Sequence, residues 1–250
     1  MDAIFTLKQV LCKRRQHGQN TWGTFVDLKK AFPSIPRHVL FGVLRKFGVP
    51  PHFIQVLKRF YTGLMVRVTL GPNTSFDMPA GETGVREGCR LSPTLFVLVM
   101  QAVCELEEPL WKGALSFRTC LDKSCQTVRG KSASRRGTLC QGFVVWALLY
   151  MDDMWAAADS RENLRTNLNT FVRTAKAFGL EMHAGTPGCD SKTKAMMVPA
   201  VKSRDVQNLS PLVLEDGRTI PFVKSFKYLG SVFHDSLKDE VAISKRIRKA

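Results

Sequence analysis

Residues 143–158, with the sequence FVVWALLYMDDMWAAA, place two adjacent aspartates between two apolar runs. The first run, Phe143 to Tyr150, is continuously apolar and predicts a buried strand. Aspartate is common in tight turns, and the apolar pattern resumes at Met154. The stretch therefore predicts a strand, a tight turn at Met151-Asp152-Asp153 and a second strand, with both carboxylates at the turn.

A third aspartate, Asp27, lies at the end of another short β-type run, Thr24 to Leu28. Neighbouring carboxylates repel each other unless a cation or hydrogen-bond donors compensate, and oxygen ligands are those that Mg²⁺ prefers. If the two segments lie side by side, Asp27, Asp152 and Asp153 converge, and two Mg²⁺ (or Mn²⁺) ions held there could activate a 3′-hydroxyl and stabilise a pyrophosphate leaving group. The alternative is that the Asp-Asp pair is ordinary turn chemistry.

The rest of the chain mixes helical and strand patterns. Hairpins outnumber regular βαβ alternation, which favours an α+β fold with an antiparallel sheet. Predicted helices cover residues 3–16, 37–47 and 52–62, and the last has an apolar face of Phe53, Val56, Leu57 and Phe60. A further helix starts at Ser92-Pro93, with an apolar stripe of Leu95, Phe96, Val99, Val103 and Leu106. One more runs from an Asp159/Glu162 capping box to Phe178. Short strands are predicted at 65–70, 194–198, 211–215, 219–223 and 226–229, residues 117–142 as a hairpin or loop excursion, and the tail from Lys238 as a basic amphipathic helix.

The charge balance favours a polyanionic partner. The chain of 250 residues has 37 Lys and Arg against 21 Asp and Glu, a net charge of +16. Nucleic acid is the first candidate for such a surface and an acidic membrane the second, while a merely solubilising surface is the alternative. The apolar runs are too short to span a bilayer. Seven irregularly spaced cysteines indicate reduced thiols in an intracellular protein, although Cys120, Cys125 and Cys140 leave a zinc site as a minor alternative.

Five segments resemble the palm motifs of reverse transcriptases, and they occur in the order of that family. Tyr150-Met151-Asp152-Asp153 resembles the YxDD box. The other four are FVDLKKAF at 25–32, GVREGCRLSP at 84–93, Phe178-Gly179-Leu180 with Lys192-Thr193-Lys194, and FKYLG at 226–230. The sequences of these motifs are similar to those of the non-LTR (LINE-type) retrotransposon branch of the family.

The resemblance implies a right-hand polymerase palm with an antiparallel sheet and flanking helices, partial fingers and an essentially missing thumb, truncated at both ends. Residues 1–22 would be a remnant helix of the fingers, 23–234 the palm with fingers-side helices inserted at about 37–80, and 235–250 the start of the thumb or a linker. The implied function is RNA-directed DNA synthesis by two-metal nucleotidyl transfer, with RNA template, DNA primer and dNTPs as partners. The expected location is intracellular, in a nuclear or cytoplasmic ribonucleoprotein.

The resemblance also assigns roles to individual residues. Asp27 and Asp152 would be the principal metal ligands, with Asp153 in support. Phe32 would lie under the nucleotide sugar as the gate against a 2′-hydroxyl. The remaining assignments are nucleotide contacts at Glu87, Gly88, Lys192 and Lys194, and a primer grip at Tyr228, Leu229 and Gly230.

Three residues depart from the family pattern, and two other functions stay open. Glu87 stands where the family usually has Gln, Arg90 where it has Pro, and Pro33 where Asp is common. A carboxylate at 87 would repel a triphosphate. One alternative is a catalytically inactive, nucleic-acid-binding remnant of a retrotransposon polymerase. The other is an RNA-dependent RNA polymerase, against which a bulky gate at Phe32 argues.

Overall fold

Helices and antiparallel strands alternate irregularly along the chain. The computed structural model describes residues 2–67, 69–71, 73–74, 76–86, 88–121, 139–186, 189–200 and 209–237. The helices of these residues are α1 (Asp2–Gln16), α2 (Ala31–Ser34), α3 (Arg37–Lys46), α4 (Pro51–Tyr61), α5 (Ser92–Glu107) and α6 (Arg161–Ala177), with a 3₁₀ turn at Glu108–Leu110.

The strands form one larger sheet and several two-stranded ladders. They are β1 (Thr21–Val26), β2 (Met65–Val66), β3 (Thr69–Leu70), β4 (Asn73–Thr74), β5 (Met78–Pro79), β6 (Leu115–Leu121), β7 (Leu139–Val145), β8 (Ala147–Tyr150), β9 (Asp153–Ala158), β10 (Lys194–Val198), β11 (Leu212–Val213), β12 (Thr219–Ile220), β13 (Ser225–Tyr228) and β14 (Ser231–His234). The larger sheet has the order β10-β1-β9-β8, and its ladders are antiparallel. The mixture confirms the predicted α+β class with antiparallel pairing.

The chain divides into two compact units. The first contains the described parts of residues 1–27, 108–171 and 183–250, and the second contains those of 28–107 and 172–182. The larger sheet and the hairpins β6–β7 and β13–β14 belong to the first unit, and α2 to α5 belong to the second. Asp27, Asp152 and Asp153 therefore belong to one unit.

The core of the first unit lies on one face of the larger sheet. Phe25 of β1 is paired with Trp155 of β9, and both side chains are almost completely buried. Helix α1 covers them with buried apolar residues such as Leu7, and Phe25 stacks on Phe226 at a centroid distance of 4.4 Å. Burial of each large apolar side chain contributes roughly 1.5–3 kcal/mol. This packing fixes β1 and β9 side by side.

The core of the second unit is built around α5. Leu95, Phe96, Val99 and Val103 are buried, as the apolar stripe predicts. The prediction for Leu106 is wrong, because that side chain is 53% exposed near the helix end. Ser92 begins α5, as predicted, and its hydroxyl donates to the carbonyl of Arg86.

The predicted continuous buried strand at 143–150 is wrong. The run is divided at Trp146 between β7, which pairs with β6, and β8, which pairs with β9. Phe143 and Val144 are about half exposed because the β6–β7 hairpin buries them only in part. An unbroken apolar run therefore serves two separate ladders.

Two further local predictions need correction. The apolar side chains at Phe53, Val56 and Phe60 of α4 are exposed, and the helix buries Ile54 and Tyr61 instead. The amide at the start of α6 is capped by the Ser160 hydroxyl, which accepts from Asn163 N–H at 3.2 Å. Asp159 accepts from the Asn163 side chain and so supports the turn without forming the predicted capping box.

The strands predicted at 65–70, 211–215 and 219–223 take part in antiparallel ladders, β2–β5 and β11–β12 among them. The segment predicted at 117–142 as a hairpin or loop excursion pairs at its described ends as β6–β7, in agreement with the hairpin alternative. Predictions for residues 122–138 and for the tail from Lys238 lie outside the described residues, as does Cys125 of the zinc alternative. None of the helices in the described ranges combines the length and the hydrophobicity that a membrane-spanning segment requires.

Candidate active site

The aspartates lie at one end of the larger sheet. β1 ends at Val26, which is paired with Met154 of β9. Because the two strands are antiparallel, the residue that follows Val26, Asp27, lies beside the residue that precedes Met154, Asp153. Residues opposite each other in an antiparallel pair point to the same face. Because Tyr150 is paired with Asp153, and Lys194 with Phe25, these side chains share the face and the end of the sheet with the two aspartates.

The turn between β8 and β9 holds the remaining aspartate. Tyr150 pairs with Asp153, so only Met151 and Asp152 form the loop. Met151 has φ of 55°, a left-handed conformation that costs a non-glycine residue of the order of 1–2 kcal/mol. Asp152 and Asp153 are exposed, while Asp27 is half buried. The tight turn thus presents two carboxylates to solvent, as the sequence predicts.

The carboxylates interact electrostatically. Loss of solvation at the sheet end raises the pKa of Asp153, and the neighbouring carboxylates of Asp152 and Asp27 raise it further. Like charges close together favour protonation, and a bound cation would remove that penalty. The three groups therefore form one electrostatically coupled cluster.

The backbone of Asp27 is held by residues that follow α6. His183 N–H donates to the Asp27 carbonyl at 2.8 Å, and Asp27 N–H donates to the Thr193 hydroxyl oxygen at 3.1 Å. The same hydroxyl lies 3.4 Å from the Asp27 carbonyl oxygen, to which it donates. Thr193 is fully buried, and it is a residue that the sequence analysis missed. The available signal was its position between the two lysines of the fourth motif.

The donor set suits a hard divalent cation, although a complete cage is not preformed. Among the described residues, no three His, Cys, Asp or Glu side chains are grouped closely enough to hold a metal ion as they stand. Carboxylate oxygens are the ligands that Mg²⁺ takes, and it usually retains waters and uses substrate phosphates as well. Two exposed carboxylates and a half-buried one, coupled by repulsion, fit that chemistry.

Phe32 and Gly88 belong to the second unit. Phe32 is half buried and stacks on the buried Phe96 at a centroid distance of 4.8 Å. Its carbonyl accepts from Val85 N–H at 2.9 Å, which ties the first motif to the second. Gly88 has φ of +78°, and a Cβ added there would meet nothing within 4 Å. Its backbone is therefore open to a ligand, and the left-handed conformation favours glycine. Glu87 lies outside the described residues.

The two lysines of the fourth motif differ in position. Lys194 begins β10 opposite Phe25 and is half buried at the sheet end of the aspartates. Lys192 is exposed in the preceding loop, where its N–H donates to His183 Nδ1 at 3.3 Å. The structure thus brings Lys194 to the same strand ends as Asp27 and Asp153.

Tyr228, Leu229 and Gly230 form the turn end of the β13–β14 hairpin. Tyr228 pairs with Ser231, and the two loop residues have φ of 46° and 81°, as a type I′ turn requires. The Tyr228 ring lies 5.4 Å from that of Phe25 and is buried. Burial, followed by the charge of Asp153, raises the pKa of Tyr228 to about 12. The hairpin end is therefore packed on the face that carries the aspartates.

A family model and several curated proteins match this chain. The family model described as reverse transcriptase (RNA-dependent DNA polymerase) matches residues 2–233. A Pol polyprotein from the type-1 retrotransposable element R2 of Popillia japonica is 23% identical over 92% of this chain and 34% of its own length. The corresponding R2 polyprotein of Nasonia vitripennis is 25% identical over 91% of this chain and 20% of its own length.

Another relative matches a shorter segment. The transposon TX1 uncharacterized 149 kDa protein of Xenopus laevis is 28% identical over 44% of this chain and 8% of its own length. The chain spans about a third or less of the length of these curated relatives. The family match covers almost the whole chain, and with the R2 relatives it establishes that the chain belongs to the reverse transcriptase family, as a domain of the non-LTR retrotransposon type.

Proposed function

We propose that this chain catalyses RNA-directed DNA synthesis, in which a DNA primer is extended on an RNA template with dNTPs. The observation that carries the proposal is the register of β1 with β9, which sets Asp27 beside the Asp152-Asp153 turn. The family match and the net charge of +16 support nucleic acid as the partner. In this proposal residues 1–22 are a fingers remnant, residues 23–234 are the palm with the fingers-side helices at about 37–80, and residues 235–250 begin the thumb or a linker.

Asp27, Asp152 and Asp153 are proposed to hold two divalent cations, Mg²⁺ in preference to Mn²⁺. When bound, such ions supply positive charge at the attacking hydroxyl and at the pyrophosphate leaving group. The chain's own part is to position the carboxylates. Thr193 and His183 hold the Asp27 backbone through three hydrogen bonds, and the two-residue turn sets Asp152 next to Asp153.

Other residues are proposed to contact the nucleotide and the primer. Lys194, or else Lys192, would approach the triphosphate, and the open backbone at Gly88 would approach the incoming nucleotide. Glu87 belongs to the same segment. The Tyr228–Gly230 turn is proposed to steady the primer end, which its packing beside Phe25 supports.

A primer-extension assay on an RNA template tests the proposal. Asp152→Asn removes one negative charge at an exposed position, so the fold is expected to be retained while extension falls by at least about a thousandfold. Asp2→Asn, at the exposed start of α1, is the matched control and should retain extension. Binding of template without extension by the unaltered chain would support the inactive remnant and contradict a polymerase.

Selection between sugars tests the role of Phe32. Truncation in Phe32→Ala removes the bulk proposed to lie under the sugar, and the ratio of rNTP to dNTP incorporation should rise by about tenfold or more. Because Phe32 also stacks on Phe96, urea unfolding of the variant must be measured beside its activity. A stable variant with an unchanged ratio would remove the gate assignment.

A further inference from the structure

Two cysteines lie directly opposite each other in the β6–β7 hairpin. Cys120 of β6 is paired with Cys140 of β7. The next pair is Leu121 with Leu139, beyond which lies the segment at 122–138. Opposed residues of an antiparallel pair have Cα atoms about 4.5–5.5 Å apart, and a disulfide needs a Cα separation of roughly 4.4–6.8 Å. The register therefore places the two cysteines at a separation that a disulfide bond can span.

The pair belongs to the exposed face of the hairpin. Alternate residues of a strand lie on one face, so Cys120 and Cys140 share a face with every second residue along β6 and β7. Four further residues of this face are exposed, namely Ser116, Arg118, Gly142 and Val144. On the other face Leu115 is completely buried. The alternation therefore assigns positions 120 and 140 to the solvent side of the ladder.

The sequence around the pair is strongly basic. Arg118 precedes Cys120 by two residues and lies on the same exposed face of the ladder. The segment at 122–138 contains five lysine or arginine residues and one aspartate. Nearby cations favour the thiolate, which is the form of cysteine that reacts with oxidants. The two cysteines therefore combine the separation, the solvent-side position and the local charge of an oxidisable dithiol.

We propose that Cys120 and Cys140 are a modification site, at which hydrogen peroxide forms a reversible disulfide across the hairpin. One thiol attacks a peroxide oxygen as its thiolate, the O–O bond breaks, and a sulfenic acid and one water form. The second thiol attacks that sulfur, the S–O bond breaks, and the disulfide and a second water form. The two sulfurs lose two electrons to the peroxide, both thiol protons end in the waters, and a thiol reductant such as glutathione reverses the step. The bond links the residues on either side of the segment at 122–138, and it does not depend on the reaction proposed above.

Peptide mapping of the whole chain tests this site, because trypsin separates the three cysteines of the region. Cleavage after lysine and arginine leaves Cys120 in the peptide 119–123, Cys125 in 124–129 and Cys140 in 137–161. After brief treatment with hydrogen peroxide and capture of the remaining thiols with N-ethylmaleimide, the digest should contain 119–123 linked to 137–161, and dithiothreitol should remove the link. This product should exceed either product that contains 124–129 by about tenfold or more, because the register opposes Cys120 and Cys140.

Urea unfolding supplies an independent readout. Oxidation should raise the urea midpoint of the unaltered chain, because the cross-link restricts the unfolded chain, and it should leave the midpoint of Cys120→Ser unchanged. Cys125→Ser is the matched control, which should form the link and show the same rise as the unaltered chain. The proposal would be overturned by free thiols at both positions after oxidation, by a predominant link to 124–129 or between two chains, or by equal midpoint shifts in Cys120→Ser and the unaltered chain. Tight zinc binding that requires all three cysteines and prevents the link would also overturn it.

Discussion

Replacing Thr193 by valine tests how the Asp27 carboxylate is positioned. Valine has nearly the same shape as threonine, so the substitution leaves no cavity at this fully buried site, but it removes the hydroxyl that accepts from Asp27 N–H at 3.1 Å. The Asp27 carbonyl keeps the His183 N–H at 2.8 Å, so a single backbone donor is left without its partner. Asp27 is only half buried, which places the expected loss at the lower end of the usual range, about 1–2 kcal/mol in the free energy of unfolding.

The comparison with Thr193→Ser separates stability from positioning. Serine keeps the hydroxyl and loses one methyl group, which also costs about 1 kcal/mol. Urea titration should therefore show similar losses for both variants. Primer extension should stay near that of the unaltered chain for serine, and fall by about tenfold to a hundredfold for valine, because small displacements of a reacting group are costly. Equal extension by the two variants would refute the role given to the hydroxyl.

Three further predictions concern the remainder of the fold. Gly23→Ala should destabilise the chain by about 1–3 kcal/mol in urea unfolding, because the added Cβ would lie 2.5 Å from Nε1 of the buried Trp155; a neutral effect would contradict the packing described. Burial is the main cause that raises the pKa of Glu107, whose carboxylate accepts from the Thr174 hydroxyl. The folded chain therefore holds this proton more tightly than the unfolded chain, and the stability it contributes is lost as pH rises above the ordinary range of glutamate. Urea unfolding at a series of pH values should show Glu107→Gln gaining stability relative to the unaltered chain as pH rises above the ordinary range of glutamate, and a constant difference would be the contrary result. Hydrogen bonds, of which the largest effect comes from the Leu91 N–H, lower the pKa of Cys89. Iodoacetamide should therefore label Cys89 at pH 7 faster than it labels the thiol of an unstructured peptide, as peptide mapping with Cys89→Ser as the control would show. An equal rate of labelling would exclude an activated thiolate at Cys89.

The Met151-Asp152 turn could be predicted because its determinants are local. Apolar residues on both sides and two turn-forming aspartates specify a hairpin within a few residues. The sequence predicts that Asp27 lies close to Asp153 only if the strands that carry them are neighbours in the sheet. The pairing of Val26 with Met154 joins segments far apart in the chain, and the pattern of either segment does not define that register.

Thr193 shows why part of the site escaped prediction. Its hydroxyl acts on the backbone of Asp27, and no property of residues 192–194 by themselves indicates that partner. The prediction of one strand at 143–150 is wrong for a related reason. The apolar pattern indicates a strand, but it does not show that residues before Trp146 pair with β6 and residues after it pair with β9. In α4 the pattern indicated an apolar face, yet Phe53 and Val56 on it are exposed.

The left-handed backbone at Met151 has a consequence for how sequence can drift in this domain. Its side chain is 43% exposed, so packing places little restriction on which residue stands there, whereas φ of 55° does. Glycine or asparagine would relax the hairpin, and valine or isoleucine would increase its conformational energy. A substitution at this solvent-facing position therefore changes the orientation of the adjacent Asp152 through the main chain. A survey of the residues tolerated at position 151 should rank them by their preference for the left-handed conformation and not by size or polarity.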